Sequence, residues 1–316
     1  MRRWPALDFA ADGPVGDTLH AYLQVIGKLP LRTLPWRNHG WHVALRVVPR
    51  GFRTYPLYGA QDEAEVLLDL SGGEVRVDSS SGRSERFALE GQSVARFAEQ
   101  LGESLEAVAV PVRTDGAPNE VPDPVPFARD TDARAWDAAT ARRLLAAFRG
   151  VDRVFARFAT GFVGKSSPSH LFWGSFDLAI TRFSGRTAPL HPGGIPALSD
   201  RVTREAYSHE VASAGFWLGG GGTGEDEITE AAFYAYGYPT PDGLSSQAVE
   251  PETAYWHSEL GEFVLPYADV RAADDPDAAL TAFLESTYAA IADTGSWDRK
   301  ALDIPTGGVG RPRSVT

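Results

Sequence analysis

The chain has 316 residues, 43% of them hydrophobic and 23% charged, with a formal net charge of -12 and no cysteine. That is enough for one large domain or two medium ones with a substantial core. The acidity argues against nucleic-acid binding, which requires a basic face, and the absence of cysteine excludes disulfides, thiolate metal sites and a cysteine nucleophile. No apolar run approaches the ~18 residues of a membrane span. Asp8 and Asp12 interrupt any apolar stretch behind Arg2 and Arg3, so no signal peptide is expected and a cytoplasmic protein fits most simply.

In chain order, residues 17–28 carry Leu19, Leu23 and Ile26 at helical spacing, before Pro30 and Pro35 break the pattern. Residues 41–48 alternate, with Trp41, Val43, Leu45 and Val47 on one side, which predicts a strand. Residues 65–70 and 74–78 predict a hairpin about Ser71-Gly72-Gly73, and residues 86–89 a short strand. Residues 93–105 predict a helix with Val94, Phe97, Leu101 and Leu105 on one face. A proline-rich stretch, 111–132, reads as a linker. A longer helix follows over 137–160, with Leu144, Phe148, Val151, Phe155 and Phe158 as its apolar stripe. Strands are predicted over 172–183, 232–238 and 262–267, a last helix over 276–293, and a loose tail over 303–316.

Landmarks recur in the two halves. Val25-Ile26-Gly27-Lys28 answers Phe162-Val163-Gly164-Lys165, and Arg53-Thr54-Tyr55-Pro56-Leu57 answers Arg186-Thr187-Ala188-Pro189-Leu190. The expected fold class is therefore α+β, a tandem duplication of an α, antiparallel β-sheet, α unit. Residues 1–110 and 133–302 would pack with pseudo-twofold symmetry around a shared core. Lys28 and Lys165 would each mark a helix end, where a cation is favoured. Between matched landmarks the second half holds an extra segment, 191–229. Unequal segments of this kind carry function or merely cover a sheet edge.

Within that segment a helix is expected over 201–213, ended by Gly215. It would place Glu205 and His209 one turn apart, as two metal ligands, as an acid–base pair, or as a plain surface pair. His191 joins them as a catalytic candidate. His170 and His42 are further candidate metal ligands, and Arg182, Lys165 and Trp173 candidate substrate contacts. The four glycines at 219–222 lack the ending of a phosphate-binding loop and read as a linker or hinge.

The runs Phe172-Trp173-Gly174-Ser175-Phe176-Asp177, His191-Pro192-Gly193-Gly194, Arg204-Glu205-Ala206-Tyr207-Ser208-His209-Glu210 and Glu259-Leu260-Gly261-Glu262-Phe263 resemble a bacterial family known only as a domain of unknown function. The likeness covers nearly the whole chain and implies no activity, cofactor or catalytic residue. Two functions stay open. One is a small-molecule enzyme with a histidine–carboxylate site near 191–229, assisted by a divalent metal. The other is a non-catalytic protein that binds a ligand or partner in an aromatic-lined cleft. No membrane partner is expected, and the oligomeric state is left open.

Overall fold

A computed structural model describes residues 4–219 and 227–312. The fold is α+β, with two antiparallel six-stranded sheets and seven α-helices among the described residues. The first half runs α1 (Phe9–Thr33), β1 (Arg46–Val48), β2 (Gly51–Arg53), β3 (Leu57–Tyr58), β4 (Glu63–Asp69), β5 (Glu74–Ser79), β6 (Ser84–Ala88) and α2 (Val94–Ala107). The second runs α3 (Ala138–Ala159), β7 (His170–Phe172), β8 (Asp177–Thr187), α4 (Asp200–Ala206), β9 (His209–Trp217), β10 (Ala232–Tyr238), β11 (Tyr255–His257), β12 (Glu262–Pro266), α5 (Tyr267–Ala272), α6 (Pro276–Thr294) and α7 (Arg299–Leu302). Among the described residues no helix is long and apolar enough to cross a membrane.

The longer helices start where the sequence provides an acceptor for their unpaired amides. Asp8, Ser93, Asp137 and Asp275 accept from the backbone N–H groups of Ala11, Arg96, Thr140 and Ala278. Pro276 then occupies the first turn of α6, where its missing N–H costs nothing. On α3 the stripe Leu144, Phe148, Val151, Phe155 and Phe158 is buried, and its arginines lie outside it.

The first sheet runs β1-β2-β4-β5-β6, with β3 also paired to β4, and the second runs β11-β12-β10-β9-β8-β7. Reciprocal hydrogen bonds between the backbones of Leu45 and Leu171, 2.9 and 3.0 Å, join the β1 side of one sheet to β7 of the other. One continuous apolar core contains residues from both halves, including Leu23, Phe52, Phe97, Phe148, Phe216 and Phe283.

Several elements differ from the sequence reading. Residues 41–45 do not form a strand. His39 and Gly40 both take left-handed backbone (φ 60° and 69°), which curls the chain into a turn; Leu45 makes a single bridge to Leu171, and the strand itself covers only Arg46–Val48. Lys28 does not mark a helix end, because α1 continues past it to Thr33, and Lys165 lies beyond the end of α3. The helix expected over 201–213 ends at Ala206, and His209 instead opens β9. That strand pairs on both sides, with β8 and with β10, so sheet formation outweighs the local helical spacing. The extra segment 191–229 therefore supplies an interior strand of the second sheet.

The proline-rich stretch folds onto the rest of the molecule. Phe127 is buried, and the Asn119 amide donates to Gln24 Oε1 at 2.9 Å. The start of the expected tail is tied down as well. Ile304 donates its N–H to Gly161 O at 3.1 Å, and the Tyr288 hydroxyl donates to Asp303 Oδ1 at 2.5 Å. Gly220, Gly221 and Gly222, together with Arg2 and Arg3, fall outside the described residues.

Candidate functional site: an aromatic cavity with three carboxylates

Alternation along the strands of the second sheet gives it two unlike faces. Leu178, Ile180, Ala212, Ala214, Phe216, Phe233, Ala235, Phe263 and Leu265 belong to the apolar core. Asp177, Ala179, Thr181 and Phe183 on β8 lie on the opposite face. So do Val211, Ser213 and Trp217 on β9, Tyr234 and Tyr236 on β10, and Glu262 on β12. These residues form the floor of a cavity of about 640 Å³. Its roof comes from Leu31 of α1, Trp36, the turn holding His39 and Trp41, Asn119 and Glu120, and residues 195–207 with α4.

Cross-strand registers order the floor into rows. Ala179, Gly215 and Tyr234 form one row, and Thr181, Ser213 and Tyr236 the next. Gly215 is required in the first. A Cβ there would lie 2.2 Å from Tyr234 Cζ, so the glycine lets the phenol lie flat across β9 toward β8. The Tyr234 hydroxyl donates to Asp177 Oδ2 at 2.5 Å, and Ser175 Oγ donates to Asp177 Oδ1 at 2.6 Å. Tyr234 also stacks on Trp217 at 4.7 Å. In the second row the hydroxyls of Thr181 and Ser213 bond at 2.9 Å, and those of Tyr207 and Tyr236 at 2.8 Å.

Glu120 reaches the acidic end from the roof. Its backbone is left-handed (φ 60°), and its amide donates to Pro196 O at 3.1 Å. Strain of this kind persists only where its surroundings fix it. A Cβ on Gly174 would strike the Glu120 carboxylate at 2.0 Å, so that glycine makes room for it, and Ser175 hydrogen-bonds it. Burial and then the neighbouring Asp177 charge push Glu120 up to about 7 and Glu262 up to about 8. Asp177 is likewise raised by burial.

The other end of the cavity is basic and imidazole-rich. His39 lies against Phe183 (4.6 Å), Trp41 (5.2 Å) and His209 (5.8 Å). Its Nδ1 bonds Ala206 O at 2.8 Å. A carbonyl only accepts, so this nitrogen carries the proton and Nε2 presents its lone pair to the Lys165 ammonium. Lys165 is exposed and stands over the Phe183 and Trp41 rings at 4.8 and 5.5 Å. Phe183 is six residues beyond Asp177 on β8, about 20 Å at the usual strand rise.

The structure thus brings together part of the expected set. Glu205 and His209 both meet His39, but from a helix and a strand. Glu205 Oε1 accepts the His39 backbone N–H at 2.9 Å, and His209 Nδ1 bonds Ser208 Oγ at 3.1 Å. Trp173 lines the cavity, with its indole N–H on Val43 O at 3.0 Å and its ring against Gly27, where a Cβ would be 2.1 Å away.

His191 lies outside the cavity lining, stacked on Tyr207 (4.8 Å) and tilted against Tyr238 (5.0 Å). Arg182 points to the other face of β8, into a cage of Phe158, Phe162 and Tyr288. Its guanidinium donates to Phe158 O at 2.6 Å. His42 is buried against Trp36, and His170 is buried beside Trp41, where burial pushes it down to about 4. Among the described residues no three His, Asp or Glu side chains are grouped to hold a metal ion, so Glu205, His209, His170 and His42 form no such centre.

Glu120 is absent from the candidates drawn from the sequence, and Asp177 and Glu262 enter there only within the runs Phe172-Trp173-Gly174-Ser175-Phe176-Asp177 and Glu259-Leu260-Gly261-Glu262-Phe263. The available signal was an acid opening each of two otherwise apolar strands, Asp177-Leu178-Ala179-Ile180 and Glu262-Phe263-Val264-Leu265.

Residues 4–304 match the family of unknown function DUF5996, nearly the whole chain, and the protein belongs to that family. No curated protein and no solved structure matches it.

Proposed function

We propose that this protein binds a small organic molecule in the cavity above the second sheet, the body of the ligand lying between aromatic rings. One observation carries the reading: a cavity of about 640 Å³ walled by Trp36, Trp41, Trp173, Trp217, Tyr234 and Tyr236. That volume lies within the ordinary range for ligand sites, which are mostly apolar with a few placed polar groups. The floor is built from side chains held by cross-strand hydrogen bonds, which supports a pocket formed before the ligand arrives. Of the two functions open from sequence this reading takes up the aromatic-lined cleft; the metal-assisted form of the other lacks a group of three His, Asp or Glu side chains among the described residues.

Titration with the uncharged fluorescent dye Nile red tests this. The expected result is saturable, one-to-one binding with a blue-shifted emission. Val211→Trp and Ala179→Phe, which fill the floor, should each abolish it while retaining the circular dichroism of the folded protein. Absence of saturable binding, or binding unchanged in both filled variants, overturns the proposal.

A further inference from the structure

The ligand's chemical class follows from acids that the cavity leaves without a cationic partner. Asp177, Glu120 and Glu262 all line it, and none of them forms a salt bridge among the described residues. The cation whose charge acts on Glu120 is Lys28 on α1. Its ammonium is engaged by Asn119 Oδ1 and lies 5.1 Å from the Trp173 ring centroid, and its charge acts on Glu120 only as a minor influence. Lys165 is at the far end of β8. Thr203, on the roof in α4 and 1% exposed, has a hydroxyl with no partner among the described residues, so the roof too presents an unmet polar atom.

We propose that the ligand is an organic cation: an apolar body bearing an ammonium or similar positive nitrogen group, seated among Asp177, Glu120, Glu262 and the surrounding aromatic rings. The proposal rests on the cavity being a ligand site, as argued above. Tyr234 stacks on Trp217 and runs parallel to Tyr236 at 6.1 Å, so ring faces and carboxylates line the same space. A cation is attracted by both, through the ring quadrupole and through charge, and the attraction grows as water is excluded. A neutral ligand leaves the acids protonated as in the empty cavity and gains nothing from them, whereas a cation draws out their charged form.

Binding is coupled to protons. Burial and mutual repulsion favour the protonated acids in the empty cavity, and a bound cation reverses that preference, so protons leave as the ligand enters. The titratable groups facing these acids are Lys28 and His20 on α1, Tyr207 beyond α4, Tyr234 and Tyr236 on β10, and His257, opposite Glu262 on β11. His20 is bonded to Gly174 O and is lowered by burial.

The test compares benzyltrimethylammonium with neopentylbenzene, its uncharged carbon isostere, and with benzoate, by tryptophan fluorescence. The cation should bind at least ~10-fold more tightly than either, about 1.4 kcal/mol. Its affinity should rise from pH 6 to 8.5, and calorimetry in buffers of different ionisation enthalpy should register proton release. Glu262→Gln and Asp177→Asn should each cost about 10-fold; the first alone decides the matter if the second fails to fold. Equal binding of the isostere or benzoate, with Nile red still binding, overturns the cation proposal and leaves the cavity reading standing. Failure of Nile red as well removes both.

Discussion

Tyr234 shows how much one position depends on its neighbours. Its ring can lie across β9 because residue 215 has no side chain, and only in that pose does its hydroxyl meet Asp177. Gly215→Ala should therefore push the ring off Asp177, lowering stability by ~1–3 kcal/mol as overpacking does. Chemical denaturation checks the size. Near-ultraviolet circular dichroism should register the displaced Tyr234–Trp217 stack. Arg182 is the complementary case on the other face of the same sheet. It is 1% exposed, caged by three rings, and its partner Glu285 is half-exposed. Arg182→Ala should cost ~2–4 kcal/mol through lost packing and the lost hydrogen bond to Phe158 O, with Nile red binding retained once the protein is folded. Loss of dye binding at full stability would put Arg182 back among the ligand contacts.

At the scale of elements, legibility tracked side-chain size. The stripe on α3 and the extent of α6 were readable because bulky apolar residues recur every three or four positions. β9 was not. Its core-facing residues include Ala212 and Ala214, and its middle is Ser213 and Gly215, so alternation carries little hydrophobic contrast. The charged start of that stretch, Arg204 to Glu210, looks helical on its own. What makes it a strand is the presence of β8 and β10 on either side, a long-range fact. The roof was illegible for a related reason: Asn119 and Glu120 sit in a proline-rich stretch whose contacts with α1 and Gly174 join residues more than fifty positions apart. The matched lysines did point at the cavity, although as neighbours of its two ends, Asn119 and His39, and not as helix caps.

For the whole molecule, the buried acids and histidines set opposite pH dependences. Glu120 and Glu262 titrate higher in the fold than in the unfolded chain, so the native state binds more protons and their contribution to stability is lost as pH rises toward 7 and 8. Half-buried His20 and buried His39, His42 and His170 titrate lower than usual, so their penalty appears only as pH falls below about 6.5. Lys28, lowered to about 8, adds stability only above that value. Between pH 6.5 and 8 the carboxylates act alone, and the melting temperature of the unliganded protein should fall across that window. Glu262→Gln should flatten the fall, and a melting temperature that rises there instead would contradict the burial of these acids.

The reciprocal pair of hydrogen bonds between Leu45 and Leu171 lies where the turn that roofs the cavity meets the edge of the sheet that floors it. Neither amide can reach solvent unless the two sheets part. In native-state hydrogen exchange the two should therefore behave as a single reporter, opening with one shared free energy near that of global unfolding. A ligand in the cavity should slow both by the same factor. The strength of binding would then be readable from two leucine amides that never touch the ligand.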